Sequence, residues 1–134
     1  MPSPPTPLSL TLDGDRFQDI GGFYAEINRV FMADEDWQLG PSLDALDDLL
    51  YGSYGVARDA SAVQLTWLQF EKSRQALGVA ATRDWLQAKL AQPDHFNAEG
   101  VQRQLQALQA GGPTYFDIVL EILASHPHIT LRPA

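Results

Sequence analysis

Asp44, Asp47 and Asp48 stand close together in a stretch that holds no basic residue from Arg29 to Arg58. Asp34, Glu35 and Asp36 share that stretch, so six acids and no bases supply −6 of the chain's formal net charge of −8. Carboxylates this dense stay solvated, hold a divalent cation, or accept charge-assisted hydrogen bonds from cationic groups. The metal reading, of the kind that holds Mg²⁺–phosphate substrates, needs a second carboxylate cluster and a large helical cavity. A chain of 134 residues leaves little room for either. Ser42 is a good N-cap and Gly52 a good stop, which predicts a short helix over 43–51. Its buried side is Leu43, Leu46, Leu49 and Leu50. Asp44, Asp47, Asp48 and Tyr51 follow the i, i+3, i+4, i+7 spacing and share the opposite side. Asp44 and Asp48 repel across one turn by roughly a few tenths of a kcal/mol, and Asp44 recovers part of this from the helix dipole.

The remaining candidates for chemistry are weaker. Asp13 and Asp15 open like a calcium loop, but the twelfth position needs a bidentate Glu and holds Tyr24. Gly21-Gly22 lacks a longer phosphate-binding fingerprint. His126 and His128 flank Pro127 where a helix meets a strand, and these two and His95 read as surface histidines rather than metal ligands. No serine is flanked as a nucleophile elbow, and with Cys at 0 there is no cysteine catalysis, cysteine–zinc site or disulfide. A glycosidase carboxylate pair would need a sugar-sized cleft. No constellation here asks to be an enzyme or to hold a cofactor. A pI of about 4.6 disfavours direct binding to nucleic acid or anionic membranes. No apolar run approaches the roughly 20 residues that span a bilayer.

The elements that must position the acidic helix are readable from periodicity. At 134 residues and 45% hydrophobic, the chain fits one folded domain, 8–134, behind a Pro-rich arm over 1–7 that reads as disordered. Leu8 to Leu12 alternate as a strand that turns at Asp13-Gly14. Asp19 caps a helix whose stripe is Ile20, Phe23, Tyr24, Ile27, Val30 and Phe31. Ala62 to Trp67 reads as a second strand, followed by a short helix that Gly78 stops. Two helices over 81–110 are expected, capped by Thr82 and Asn97, with a turn over 92–96. Their apolar faces are narrow, so they need a partner surface, either the core or a second copy of the chain. Thr114 caps an apolar helix interrupted only by Asp117 and Glu121. Pro127 breaks it before a last strand, His128 to Leu131. Strands separated by helices imply parallel crossovers and a two-layer α/β domain.

The segment Leu43-Asp44-Ala45-Leu46-Asp47-Asp48-Leu49-Leu50, between Gly40 and Gly52, resembles the signature helix of the barstar family, small intracellular inhibitors of secreted ribonucleases. Leu12-Asp13-Gly14, Trp67 to Ser73, and Leu120-Glu121-Ile122 followed by His128 to Leu131 resemble the family's other elements in order and spacing. The resemblance covers 10–78 and 114–132. It implies a three-stranded parallel sheet packed against helices, with 79–113 as an inserted helical hairpin. It also implies a cytoplasmic immunity protein with no catalysis, metal or cofactor, whose partner is a basic protein, a secreted ribonuclease. By this resemblance Asp44 and Asp48 enter the ribonuclease site, and Glu121 is an acidic contact from the last helix. Asp47 matches in part, since the archetypal member carries Trp there. Leu39-Gly40-Pro41-Ser42 stands where the family tends to have aromatic–Gly–x–Asn, and Trp37 is the aromatic residue nearby. Tyr51 completes the partner-facing side. The alternative is a barstar-fold interaction module whose basic partner is not a ribonuclease, with an acidic metal or small-molecule enzyme as a third class. Self-association through the hairpin is a further expectation.

Overall fold

The computed structural model describes residues 7–92 and 94–134. Residues 1–6 of the Pro-rich arm and Pro93 of the 92–96 turn lie outside the described residues, and Pro7 is exposed. In chain order the elements are β1 (Leu8–Asp13), a 3-10 turn (Gly14–Arg16), α1 (Ile20–Phe31), α2 (Leu43–Tyr51), β2 (Val63–Leu68), α3 (Phe70–Ala76), α4 (Val79–Leu90), α5 (Ala98–Gln109), α6 (Tyr115–Ala124) and β3 (Ile129–Pro133). The sheet runs β1-β2-β3 and is parallel throughout. Leu8 lies beside Val63 and Leu12 beside Trp67, while Val63 and Trp67 also pair with Ile129 and Pro133.

A parallel sheet commonly has helices on both faces and continuous apolar strands. These strands alternate instead. Leu12, Val63, Leu65 and Trp67 are buried, whereas Ser9, Thr11 and Thr130 are exposed. One face is therefore polar and the helices cover the other, which gives the two-layer α/β arrangement. Phe23 and Ile27 of α1, Leu46 and Leu50 of α2, and Val119 and Leu123 of α6 converge there on the sheet. At the centre Trp67 stacks on Phe23 with ring centroids 5.9 Å apart and meets Phe70 and Phe116 edge-on. Its indole N–H donates to Ser73 Oγ at 2.8 Å, so this buried polar atom is satisfied.

Glu26 is buried in α1, where its carboxylate accepts from the Asp13 N–H at 2.8 Å and from Arg29 Nε at 2.6 Å, with Arg16 Nε at 3.2 Å. Burial pushes this carboxyl up, but the Arg29 and Asp13 hydrogen bonds and the charges of Arg29 and Arg16 outweigh it and hold it below its ordinary range. The group ties the end of β1 to α1.

Asp19, Asn97 and Thr114 cap helices as their residue types predict, Thr114 within a capping box completed by Asp117. Thr82 does not. It lies inside α4, whose N-cap is Gly78, and is buried. Its hydroxyl donates to the Gly78 carbonyl at 2.6 Å and accepts the Tyr115 N–H at 2.7 Å. Thr82 thus satisfies a backbone donor at the start of α6 and ties α4 to it. A second apolar cluster, Leu86, Val101, Leu105 and Leu108, holds α4 against α5. Trp85 joins the two clusters, its ring edge-on to Tyr115 at 4.8 Å.

Candidate functional site

The acidic helix is held from both ends and from below. Ser42 is extended and its Oγ accepts the Ala45 N–H at 3.2 Å. At the other end Gly52 adopts φ +103°, and the N–H groups of Gly52 and Ser53 return to Leu49 and Asp48 as a Schellman stop. Leu46, Leu49 and Leu50 are buried in the core, and Leu43 is half-buried. Asp44, Asp47, Asp48 and Tyr51 are all exposed, Tyr51 to 76%. Among the described residues neither Asp44 nor Asp48 lies within ion-pair distance of a cation. The helix therefore presents uncompensated charge to solvent on a rigid support.

Each carboxylate has a different neighbourhood. Asp48 lies near Tyr54, whose hydroxyl donates to the Ala45 carbonyl at 2.8 Å. Burial, and next the Asp48 charge, push the Tyr54 phenol up. Trp37 stands edge-on to Tyr54 at 4.8 Å, is 43% exposed, and donates its indole N–H to Glu35 at 3.0 Å. The loop before α2 thus places an aromatic surface beside the helix. Asn28 fixes that loop by exchanging two hydrogen bonds with the Leu39 backbone, at 2.8 and 3.0 Å.

Asp47 bonds His126 Nε2 at 2.7 Å. His126 is buried, with 8% of its side chain accessible, and is not the surface histidine expected from its sequence position. Its partner lies 79 positions away, so no local signal revealed the pair. Tyr51 meets the His126 ring edge-on at 6.3 Å.

Asp44 faces a cleft between the start of α2 and the α4–α5 hairpin, where Trp85, Lys89 and Phe96 stand opposite it. Sequence reasoning missed these three residues, because only the packing of α4 against α6 brings them there. Glu121 is exposed on α6, on a stripe with Asp117 and Ala124, and makes no hydrogen bond or ion pair with α2 among the described residues. Among the described residues no three His, Asp or Glu side chains are placed to hold a metal ion. Nor is any helix among them long and apolar enough to cross a membrane.

Chemically, the surface is an acceptor array: separated carboxylates on one helix, flanked by exposed aromatic rings, suited to cations held in fixed positions. In comparisons with known proteins, a family model described as Barstar (barnase inhibitor) matches residues 8–106. The match contains the whole of α2, runs through α4 and ends inside α5. No curated protein matches the chain.

Proposed function

The chain belongs to the barstar family, and we propose that it inhibits a ribonuclease stoichiometrically by seating α2 in the enzyme's basic active site. The observation that carries this reading is the exposure of Asp44 and Asp48, without an ion-pair partner among the described residues, on a helix whose leucines anchor it in the core. A ribonuclease site binds phosphates and is lined with cations. Carboxylates in fixed positions take the places of phosphates there. Opposite charge also speeds encounter, an effect for which barnase and barstar are the standard example. Asp47, Tyr51, Trp37 and Glu121 extend the contact around the two central carboxylates. On this reading the protein acts without turnover, metal or cofactor, and inside the cell, where it guards against a nuclease made for export.

The test is to recover the basic protein that the chain binds at low ionic strength and to titrate its RNA cleavage. Stoichiometric loss of cleavage supports the proposal. A tightly bound basic protein without nuclease activity contradicts it and makes the chain an interaction module of the same fold. RNA hydrolysis or other turnover by the pure chain contradicts both.

A further inference from the structure

The cleft beside Asp44 has a volume of about 760 Å³. Pro41 to Asp44 form one wall, α4 and Phe96 form the other, and Tyr115 also lines it. Lys89 occupies its aromatic side. The ammonium lies 4.1 Å from the Trp85 ring centroid and 5.3 Å from that of Phe96. It is thus a cation held between two aromatic faces, with a carboxylate on the opposite wall. The fit is imperfect. Burial pushes the Lys89 ammonium below its ordinary range, and Asp44, too far for an ion pair, offsets this only in part. Lys89 therefore regains hydration when it swings out, and Asp44 keeps its capacity to accept.

We propose that this cleft receives one basic side chain of the docking partner, an arginine or lysine that enters between Trp85 and Phe96, pairs with Asp44 and displaces Lys89. Arginine suits the site better: its flat guanidinium stacks on a ring while its N–H fork binds a carboxylate, and it is less strongly hydrated than an ammonium. Lys89 then acts as a built-in competitor. A partner without a cation at that place leaves Lys89 seated and gains no pair with Asp44, so the α4–α5 hairpin selects among basic partners that α2 alone would accept. The inference rests on the inhibitory reading for the partner's identity, but the cleft can be tested without that partner.

The probe is acetyl-hexaarginine amide, titrated into the full chain at low ionic strength by calorimetry, with the Trp85 indole N–H followed by NMR. Arg83→Met is the charge-matched control for Lys89→Met, since Arg83 is exposed on the same helix and does not line the cleft. Lys89→Met should bind the peptide at least about threefold more tightly than Arg83→Met. Asp44→Asn and Phe96→Ala should each bind at least about threefold more weakly than wild type, and the Trp85 signal should move on binding. Equal affinity of Lys89→Met and Arg83→Met overturns the proposal, as does an unchanged affinity in Asp44→Asn. Binding of hexaglutamate that Lys89→Met abolishes also overturns it, by making the cleft an anion site. The expected peptide order in a chain that inhibits no ribonuclease upholds the cleft and removes only the inhibitory reading.

Discussion

His126 lies two residues beyond the end of α6, and its Nε2 bonds Asp47 on the acidic helix at 2.7 Å. An ionised carboxylate can only accept, so the imidazole carries its proton on Nε2 in this bond. One carboxylate of the partner-facing side is thereby tied to the scaffold, while Asp44 and Asp48 stay free to pair elsewhere. The bond also links α2 to the α6–β3 turn, beside the buried leucines and the two caps that hold the helix.

His126→Ala should therefore cost about 1–2 kcal/mol of stability, from a lost hydrogen bond and a small void. Asp47→Ala should cost less, because Asp47 is half-exposed and water replaces it. Urea unfolding of both single variants and the double variant gives the coupling, expected at about 1 kcal/mol. Additive effects would show that the two side chains merely lie close.

Glu26 should make the fold acid-sensitive. Its carboxyl is held below the ordinary range in the folded chain, so its contribution is fully present above the unfolded carboxyl value, roughly pH 4.3, and is lost as pH falls through the folded value. Glu26→Gln should lose roughly 2 kcal/mol at pH 7, a figure kept modest because Arg16 and Arg29 are half-exposed. The gap between the urea midpoints of wild type and variant should narrow steadily below about pH 4. A gap that stays constant down to pH 3 contradicts this.

Gly55 has φ +85°, and a Cβ there would lie 2.6 Å from the Phe31 carbonyl oxygen. Gly55→Ala should destabilise by about 2 kcal/mol or more, read as a lower melting temperature. The Val56 N–H donates to that same carbonyl at 2.7 Å, so the backbone has no slack to give. A melting temperature equal to that of wild type would contradict this account of the turn after α2.

Much of this architecture was legible because its causes are local. Ser42 and Gly52 bracket α2 by side-chain chemistry and backbone freedom, and the alternation in Leu8–Leu12 and Ala62–Trp67 marks strands with one buried face. Family resemblance then picked out Asp44 and Asp48 on that helix. What stayed hidden depends on contacts distant in sequence. Thr82 is an N-cap residue type, yet it lies inside α4 and accepts the Tyr115 N–H, 33 positions on. His126 reads as a turn residue until Asp47 is brought to it. Lys89 belongs to a helix with a shallow apolar stripe, and only the docking of Trp85 on Tyr115 turns it toward Asp44.

Glu121 is exposed on a helix whose only other charge is Asp117, so Glu121→Ala should change stability by less than about 0.5 kcal/mol. If Glu121 is part of the contact, the same variant should raise Kd for the captured ribonuclease, by less than Asp48→Ala does, because a rim charge stays partly hydrated. An unchanged Kd places Glu121 outside the interface.

The most direct measurement pairs the affinity of Asp48→Ala for that ribonuclease with its urea midpoint. In the free chain Asp48 is exposed, repels Asp44 and is a poor helix former, so the midpoint should stay level or rise slightly. In the complex the carboxylate is desolvated against fixed cations, and its removal leaves them unpaired. Kd should rise by about tenfold to a hundredfold, mostly through faster dissociation. Added salt should slow association of the wild type more than that of the variant. Wild-type affinity in Asp48→Ala, with the fold intact, would mean that the acidic helix is a solvated face and not the inhibitory surface.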